Sequence, residues 1–265
     1  GFFGAVPVVG ESLQQWLLGG YAVGNATLNR FFALHYLLPF VIAALVGLHV
    51  WALHHVGQNN PIGISEKSKS DTLSFHPFYT VKDAFAVAVF LMIFAFFLFY
   101  QPDALGHADN YIEADSLKTP AHIVPEWYFL PFYAILRAVP DKLAGILLMV
   151  GAIAVLFVLP WLDTSKVRSL RFRPIARGFF FIFLVFCFIL GWCGAGTPDD
   201  IAIGLGDTGI TFYRLSQIST IYYFAYFLII LPVLGLVEKP LARPDSITKA
   251  VLGDQSRGGG LAAAE

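Results

Sequence analysis

The stretch that decides the fold runs from Asn25 to Asn60, NATLNRFFALHYLLPFVIAALVGLHVWALHHVGQNN, an apolar run long enough to cross a bilayer with two histidines inside it. His35 and His49 are fourteen residues apart. On an α-helix that spacing is nearly four turns, so both imidazoles fall within about 40° of one face and roughly 21 Å apart along the axis. One helix can therefore present a metal ligand near each membrane surface. A histidine on an apolar helix can equally be a hydrogen-bonded packing residue, and the spacing alone leaves the two readings level. An ionisable side chain in hydrocarbon is costly and by default points to function, and neutral imidazole is an axial ligand of haem iron. If each iron takes two histidines, the second must come from another helix, and no other helix here offers a fourteen-spaced pair.

The rest of the chain agrees with a membrane setting. Of its 265 residues 57% are hydrophobic and 13% charged, and mean hydropathy is +0.68, far above a soluble domain. The expected fold class is an all-α integral membrane protein, a transmembrane helical bundle. A formal net charge of −1 excludes the basic footprint of a nucleic-acid binder. Cys187 and Cys193 lie within one apolar run and point to different sides of a helix, which makes them packing residues. The chain begins at Gly1 without a methionine or a charged leader, so a preceding segment is expected.

Near the start, ESLQQWLL at Glu11 to Leu18 is too short to span and reads as an amphipathic surface helix. Asn25 or Thr27 caps the next helix, which runs from about Leu28 to His55 with a kink expected at Pro39. Four more spans are expected at Val81 to Tyr100, Lys142 to Leu162, Ile175 to Gly194 and Ser216 to Val237, making five. Residues 1–56 are expected to form one domain, 57–240 a second, and 241–265 a flexible tail rich in Gly, Ala and charge.

Loop charges orient these spans. The loops from Gly57 to Lys82 and from Asp163 to Arg177 are rich in Lys and Arg, whereas Gln101 to Asp141 holds only Lys118 and Arg137 against six acids. Because basic loops favour the cytoplasm, His49, His54 and the C-terminus are expected on that side and His35 on the other.

Between the second and third spans lies VPEWYFLPFYAILRAV. Glu126, between Pro125 and two aromatics, would take a proton near neutral pH if desolvated. The residues themselves lean slightly toward a helix-capping glutamate instead. Tyr128 and Tyr133 suit either hydrogen bonding to a ligand or an interfacial aromatic belt. HHVGQNNP and FHPFYTVKD gather His54, Asn59, Lys82 and Asp83 at one surface, a set able to deliver protons to a reducible carbonyl or to act as ordinary interfacial polar groups.

RFFALHYLLPF, HHVGQNNP, FHPFYTVKD, TPAHIVPEWYFLPFYAILR and PWLDTSKVRS, in this order, resemble cytochrome b of the cytochrome bc1 complex, the ubiquinol-cytochrome c reductase. The wording resembles alphaproteobacterial members, and the similarity runs from Gly1 to about Lys239. It implies two b-type haems, with His35 an axial ligand to the low-potential iron and His49 to the high-potential iron. It further implies that Glu126 takes a proton from quinol, in a pocket shaped by Pro125, Tyr128, Phe129 and Tyr133. His54, Lys82 and Asp83, with Phe75 and Asn59, would line a ubiquinone-reduction site. The mechanism implied is a bifurcation, in which one electron from quinol goes to an iron-sulfur partner and the other crosses the membrane through the haems. The implied partners are the Rieske iron-sulfur protein, cytochrome c1 and the rest of cytochrome b, within a homodimeric complex of the bacterial inner membrane. The first three helices of the family, with the two remaining haem histidines, lie outside this chain. A haem-free proton channel and a structural remnant are the alternatives. Against the channel, Phe40 to Leu48 offers no polar step between the histidines.

Overall fold

The computed structural model describes residues 3–58, 60–66, 69–113, 115, 117–118, 123–205 and 208–252. Helix α1 covers Gly10–Leu18, and the turn after it is tied to the next helix, with Arg30 donating to the carbonyl of Trp16 and Thr27 Oγ1 donating to that of Leu18 at 2.5 Å. Helix α2 covers Asn25–Val56 without a break at Pro39. It begins three residues earlier than its expected start. Gly24 occupies the cap position, and Thr27, one turn inside, accepts from the Gly24 N–H at 3.2 Å. Asn25 and Thr27 are therefore helical residues rather than the cap.

A π-turn at Phe75–Tyr79 leads directly into α3, Thr80–Tyr100, so the span Phe75–Tyr100 starts six residues ahead of Val81. A short α4, Leu130–Arg137, follows the PEWY turn. Asp141 then caps α5, Lys142–Phe157, by accepting from the Ala144 N–H at 2.7 Å.

The third expected span is broken. Helix α5 stops at Phe157 and a separate turn, α6, covers Leu159–Leu162. Pro160 explains the break, because its ring clashes with the carbonyl four residues back and it has no N–H to donate. Sixteen residues of α5 reach only about 24 Å. Four helices among the described residues are long and apolar enough to cross alone, one fewer than the five expected, and the α5 and α6 pair makes up the remaining apolar pass.

Helices α7, Pro174–Ala195, and α8, Phe212–Ala225, are joined by a feature the sequence reading lacked, a two-stranded antiparallel hairpin of β1, Ile201–Leu205, and β2, Thr208–Thr211. Beyond α8 the helix runs through a π-turn, Tyr226–Ile230, into α9, Leu231–Val237.

The chain divides into two compact units, Gly1–Gln58 with Thr119–Leu241, and Asn59–Lys118 with Ala242–Glu265. These limits differ from the expected ones at residues 56 and 240. In the first unit, Ile135, Ala152, Leu190, Cys193, Tyr223 and Phe227 form one core shared by α4, α5, α7, α8 and the π-turn after α8. Two polar clasps close this bundle. At one surface Arg173, 1% exposed, donates from Nη1 to both oxygens of Asp163 at 3.0 and 2.9 Å and pairs through Nε with Glu238 at 3.4 Å. Glu238 in turn accepts from the N–H groups of Ile175 and Ala176 at 2.8 and 3.2 Å, neutralising orphan donors at the start of α7.

In the second unit, α3 has no buried residue. The first part of the expected flexible tail is structured. Helix α10, Ile247–Leu252, docks through Thr248 Oγ1, which donates to Asp71 at 2.8 Å, and Arg243 donates to the Gly63 carbonyl at 3.4 Å. The remainder of that tail, from residue 253, lies outside the described residues.

Candidate functional site

The PEWY turn is held by the helix that follows it. Glu126 sits at the cap position with φ −56° and ψ 152°, Trp127–Phe129 form one turn of 3-10 helix, and α4 begins at Leu130. Two glycines let α4 wedge between its neighbours. A Cβ on Gly194 of α7 would lie 2.2 Å from the Leu130 carbonyl oxygen, and one on Gly145 of α5 would lie 2.3 Å from that of Leu136. Small residues at such crossings are how apolar helices gain close contact where lipid provides no hydrophobic contrast.

Arg137 locks this wedge. Its Nη2 donates to the carbonyls of Cys193, Gly194 and Gly196 at 2.7, 3.0 and 3.1 Å, satisfying the orphan acceptors at the C-terminal end of α7 and placing a cation where the helix dipole favours one. The same guanidinium lies over the Tyr133 ring, 4.4 Å from its centroid. Tyr133 Oη donates to the Ile123 carbonyl at 3.4 Å and so ties the segment before PEWY to α4. Sequence reading did not single out Arg137. The available signal was one of only two bases in an acid-rich segment, on the same face of α4 as Tyr133 four residues earlier.

Glu126 occupies the cap position of the turn, yet its side chain makes no capping hydrogen bond; only its main-chain carbonyl is engaged, accepting from the Phe129 N–H at 2.9 Å. The carboxylate is exposed and available to a ligand, contrary to the capping role toward which the sequence leaned. The burial that would desolvate it is not supplied by the described residues. Pro125 and Phe129 are half-buried, Tyr128 is 63% exposed, and Phe129 packs on Phe132 with centroids 5.6 Å apart. These aromatics form one wall, open toward solvent.

His35 and His49 lie on the uninterrupted α2, exposed, with the fourteen-residue spacing preserved in regular helix. Neither imidazole has a hydrogen-bond partner among the described residues. Imidazoles on one stripe of an apolar helix are of the type that haem iron takes as ligands. No cluster of three or more metal-ligating side chains occurs among the described residues. His54 sits exposed in the last turn of α2.

In the second unit, Lys82 and Asp83 are exposed in the first turn of α3, and Phe75 stacks on Tyr79 with centroids 6.3 Å apart. The structure thus brings Phe75, Lys82 and Asp83 to one helix end. Asn59 lies outside the described residues, as does His122. Its neighbour Asn60 shapes the loop, its side-chain oxygen accepting from the N–H groups of Ile62 and Ile64, both at 3.2 Å.

Comparison with known proteins places this arrangement among others. Residues 113–224 match the family model described as Cytochrome b(C-terminal)/b6/petD, and residues 1–108 match Cytochrome b(N-terminal)/b6/petB. The chain is 55% identical over 249 residues to cytochrome b of Rhodospirillum rubrum, covering 94% of this chain and 59% of that protein. It is 56% identical over 245 residues to cytochrome b of Rickettsia bellii, covering 92% and 59%. It is 54% identical over 250 residues to cytochrome b/c1 of Bradyrhizobium diazoefficiens, covering 94% and 35%. Among solved structures, a chain of a hyperthermophilic respiratory Complex III superposes with a TM-score of 0.75 at 33% identity, covering 88% of this chain and 58% of that one. The chain therefore spans at most about three-fifths of the length of these relatives.

Proposed function

This chain belongs to the cytochrome b family, and on that premise we propose that it is the haem- and quinone-binding part of a quinol-cytochrome c oxidoreductase. The observation that carries the reading is the pair of unpartnered imidazoles, fourteen residues apart on one stripe of an apolar helix 32 residues long. His35 and His49 would each hold one of two b-type haems, which when bound would supply one-electron carriers near the two membrane surfaces. Each haem would take its further ligand from the part of cytochrome b that this chain does not span.

Glu126 accepts a proton from a quinol hydroxyl. Its carboxylate is exposed and makes no capping bond to the turn it precedes, and α4, clamped by Arg137, holds Tyr128, Phe129 and Tyr133 as the aromatic wall against which a quinol ring packs. In the second unit Lys82 and Asp83 would deliver protons to a bound quinone, with Phe75 as an apolar contact, and the sequence resemblance adds His54 and Asn59 as further donors. Quinol oxidation on one side and quinone reduction on the other move protons across the membrane. The partners this reading requires are a Rieske iron-sulfur protein, cytochrome c1 and the rest of cytochrome b in a homodimer, with the C-terminus toward the cytoplasm of a bacterial inner membrane.

The test is a reduced-minus-oxidised optical spectrum of the membrane complex containing this chain, with His35→Leu and His49→Leu compared with wild type. Each substitution is expected to remove one distinct b-type component. Unchanged spectra in both variants would overturn the ligand assignment.

A further inference from the structure

The π-turn at Phe75–Tyr79 carries a histidine with no part so far in the quinone chemistry. His76 is exposed, and its Nδ1 lies 2.9 Å from Oγ1 of Thr80, the first residue of α3. Thr80 Oγ1 donates its single proton to the Pro77 carbonyl at 3.2 Å. A hydroxyl whose proton is committed can only accept from its second neighbour, so neutral His76 carries its hydrogen on Nδ1. Its Nε2 is then the atom at which a proton is gained or lost, and Thr80 is the one hydrogen-bond partner of the imidazole among the described residues. Helix geometry sets this pair beside an acid. Asp83 follows Thr80 by three residues and Tyr79 by four, so along the Phe75–Tyr100 span it shares a face with both. Because Phe75 stacks on Tyr79, two ladders meet at Asp83, an aromatic one from Phe75 through Tyr79 and a polar one from His76 through Thr80. The other charged groups flanking the turn are Lys82, next to Asp83, and Lys69 and Asp71 on the 3-10 turn before it, where Asp71 accepts from Thr248.

Resting on quinone reduction at this helix end, we propose that His76 is the residue that returns a proton to Asp83 after each transfer. Converting one quinone to quinol takes two electrons, brought by the proposed path from quinol, and two protons. Lys82 gives one of the protons. Asp83 as the acid gives the other to a quinone oxygen and becomes a carboxylate. Imidazolium His76 then passes the proton on Nε2 to that carboxylate, and neutral His76 regains one from water on its exposed side. Histidine suits the step because its charge changes between about pH 5 and 8. Thr80 acts only through His76, as a positioning residue that fixes the tautomer.

The experiment follows single-turnover quinone reduction by the intact membrane complex across about pH 5 to 9. In the wild type the rate is expected to fall as rising pH empties the imidazolium pool. His76→Gln should lower the rate at the acidic end at least about tenfold and flatten that limb. Added imidazole should restore both in His76→Ala, which a purely structural role would not allow. Thr80→Val should cost about threefold, as loss of one hydrogen bond does, and Thr80→Ser should recover it. Asp83→Asn separates failure of the relay from failure of the quinone site. If Asp83→Asn and His76→Gln both leave the rate unchanged, the quinone site lies elsewhere and the proposal falls with it. If Asp83→Asn stops reduction while His76→Gln keeps the wild-type rate and pH limb, the relay alone is overturned. A slower His76→Gln with the limb intact, or no recovery with imidazole, would also overturn it by marking His76 as structural. The imidazole and Thr80 arms keep the test decisive if His76→Gln assembles poorly.

Discussion

Along α2 none of the apolar window is buried, whereas along the helix from Phe212 to Val237 a third of it is, at 33%. Both are long, apolar and free of charge in their middles. What separates them is what they meet. The α4 to α9 bundle has glycine contacts at its crossings, Gly145 and Gly194 against α4, and polar clasps at its ends, Arg137 on the last carbonyls of α7 and Arg173 between Asp163 and Glu238. Helix α2 has comparable small residues in Ala43, Ala44 and Gly47, but a Cβ on Gly47 would meet nothing within 4 Å. An apolar helix with small residues and two free imidazoles is a surface made to be covered from outside this chain, while the bundle covers itself.

Substitutions can break or sharpen that contrast. The largest effect is expected from Arg173→Gln, which strands Asp163 and Glu238 in the bundle and should cost about 3–5 kcal/mol, read as a lowered unfolding midpoint of the detergent-solubilised complex. Gly194→Ala comes next, because the added methyl meets main-chain atoms of Leu130 that cannot yield; about 3 kcal/mol is expected in the same assay. Arg137→Met should cost about 2 kcal/mol by leaving three carbonyls without their charged donor. It should also lower quinol oxidation by loosening Tyr133, while leaving the haem spectrum intact. At the small end, Leu45→Ala on α2 should change the stability of this chain by less than about 0.5 kcal/mol, as an uncovered position does. A much larger cost for Leu45→Ala in the whole complex than in this chain alone would mark the face of α2 that other helices cover.

The helices and most of the site could be read from residues, and the exceptions have physical causes. Hydropathy and spacing are local, so α2, α3, α7 and α8 with its extension appear in the sequence within a few residues of where they form. The break after Phe157 was missed because a proline in an apolar run is compatible with either a kink or a break, and only the surroundings choose. The hairpin between α7 and α8 escaped because IAIGLGDTGIT is short and rich in glycine. Glu126 does sit at the cap position that the sequence offers, one residue before a helical turn, but only the structure shows that its side chain makes no capping bond. Arg137 carried no motif of its own; its role exists only because α4 runs back against the end of α7, some 56 residues later in the chain.

By itself the sequence determined that this is a membrane-spanning helical protein of the cytochrome b family, with histidines at a spacing that one helix face preserves and an acid held just outside a helix. Periodicity and side-chain chemistry act over a few residues, so they survive in one dimension. The tertiary structure alone decided which helices cover one another and which charges are clasped and buried. Those outcomes depend on close approach between residues far apart in the chain, and packing energies become defined only when the surfaces meet.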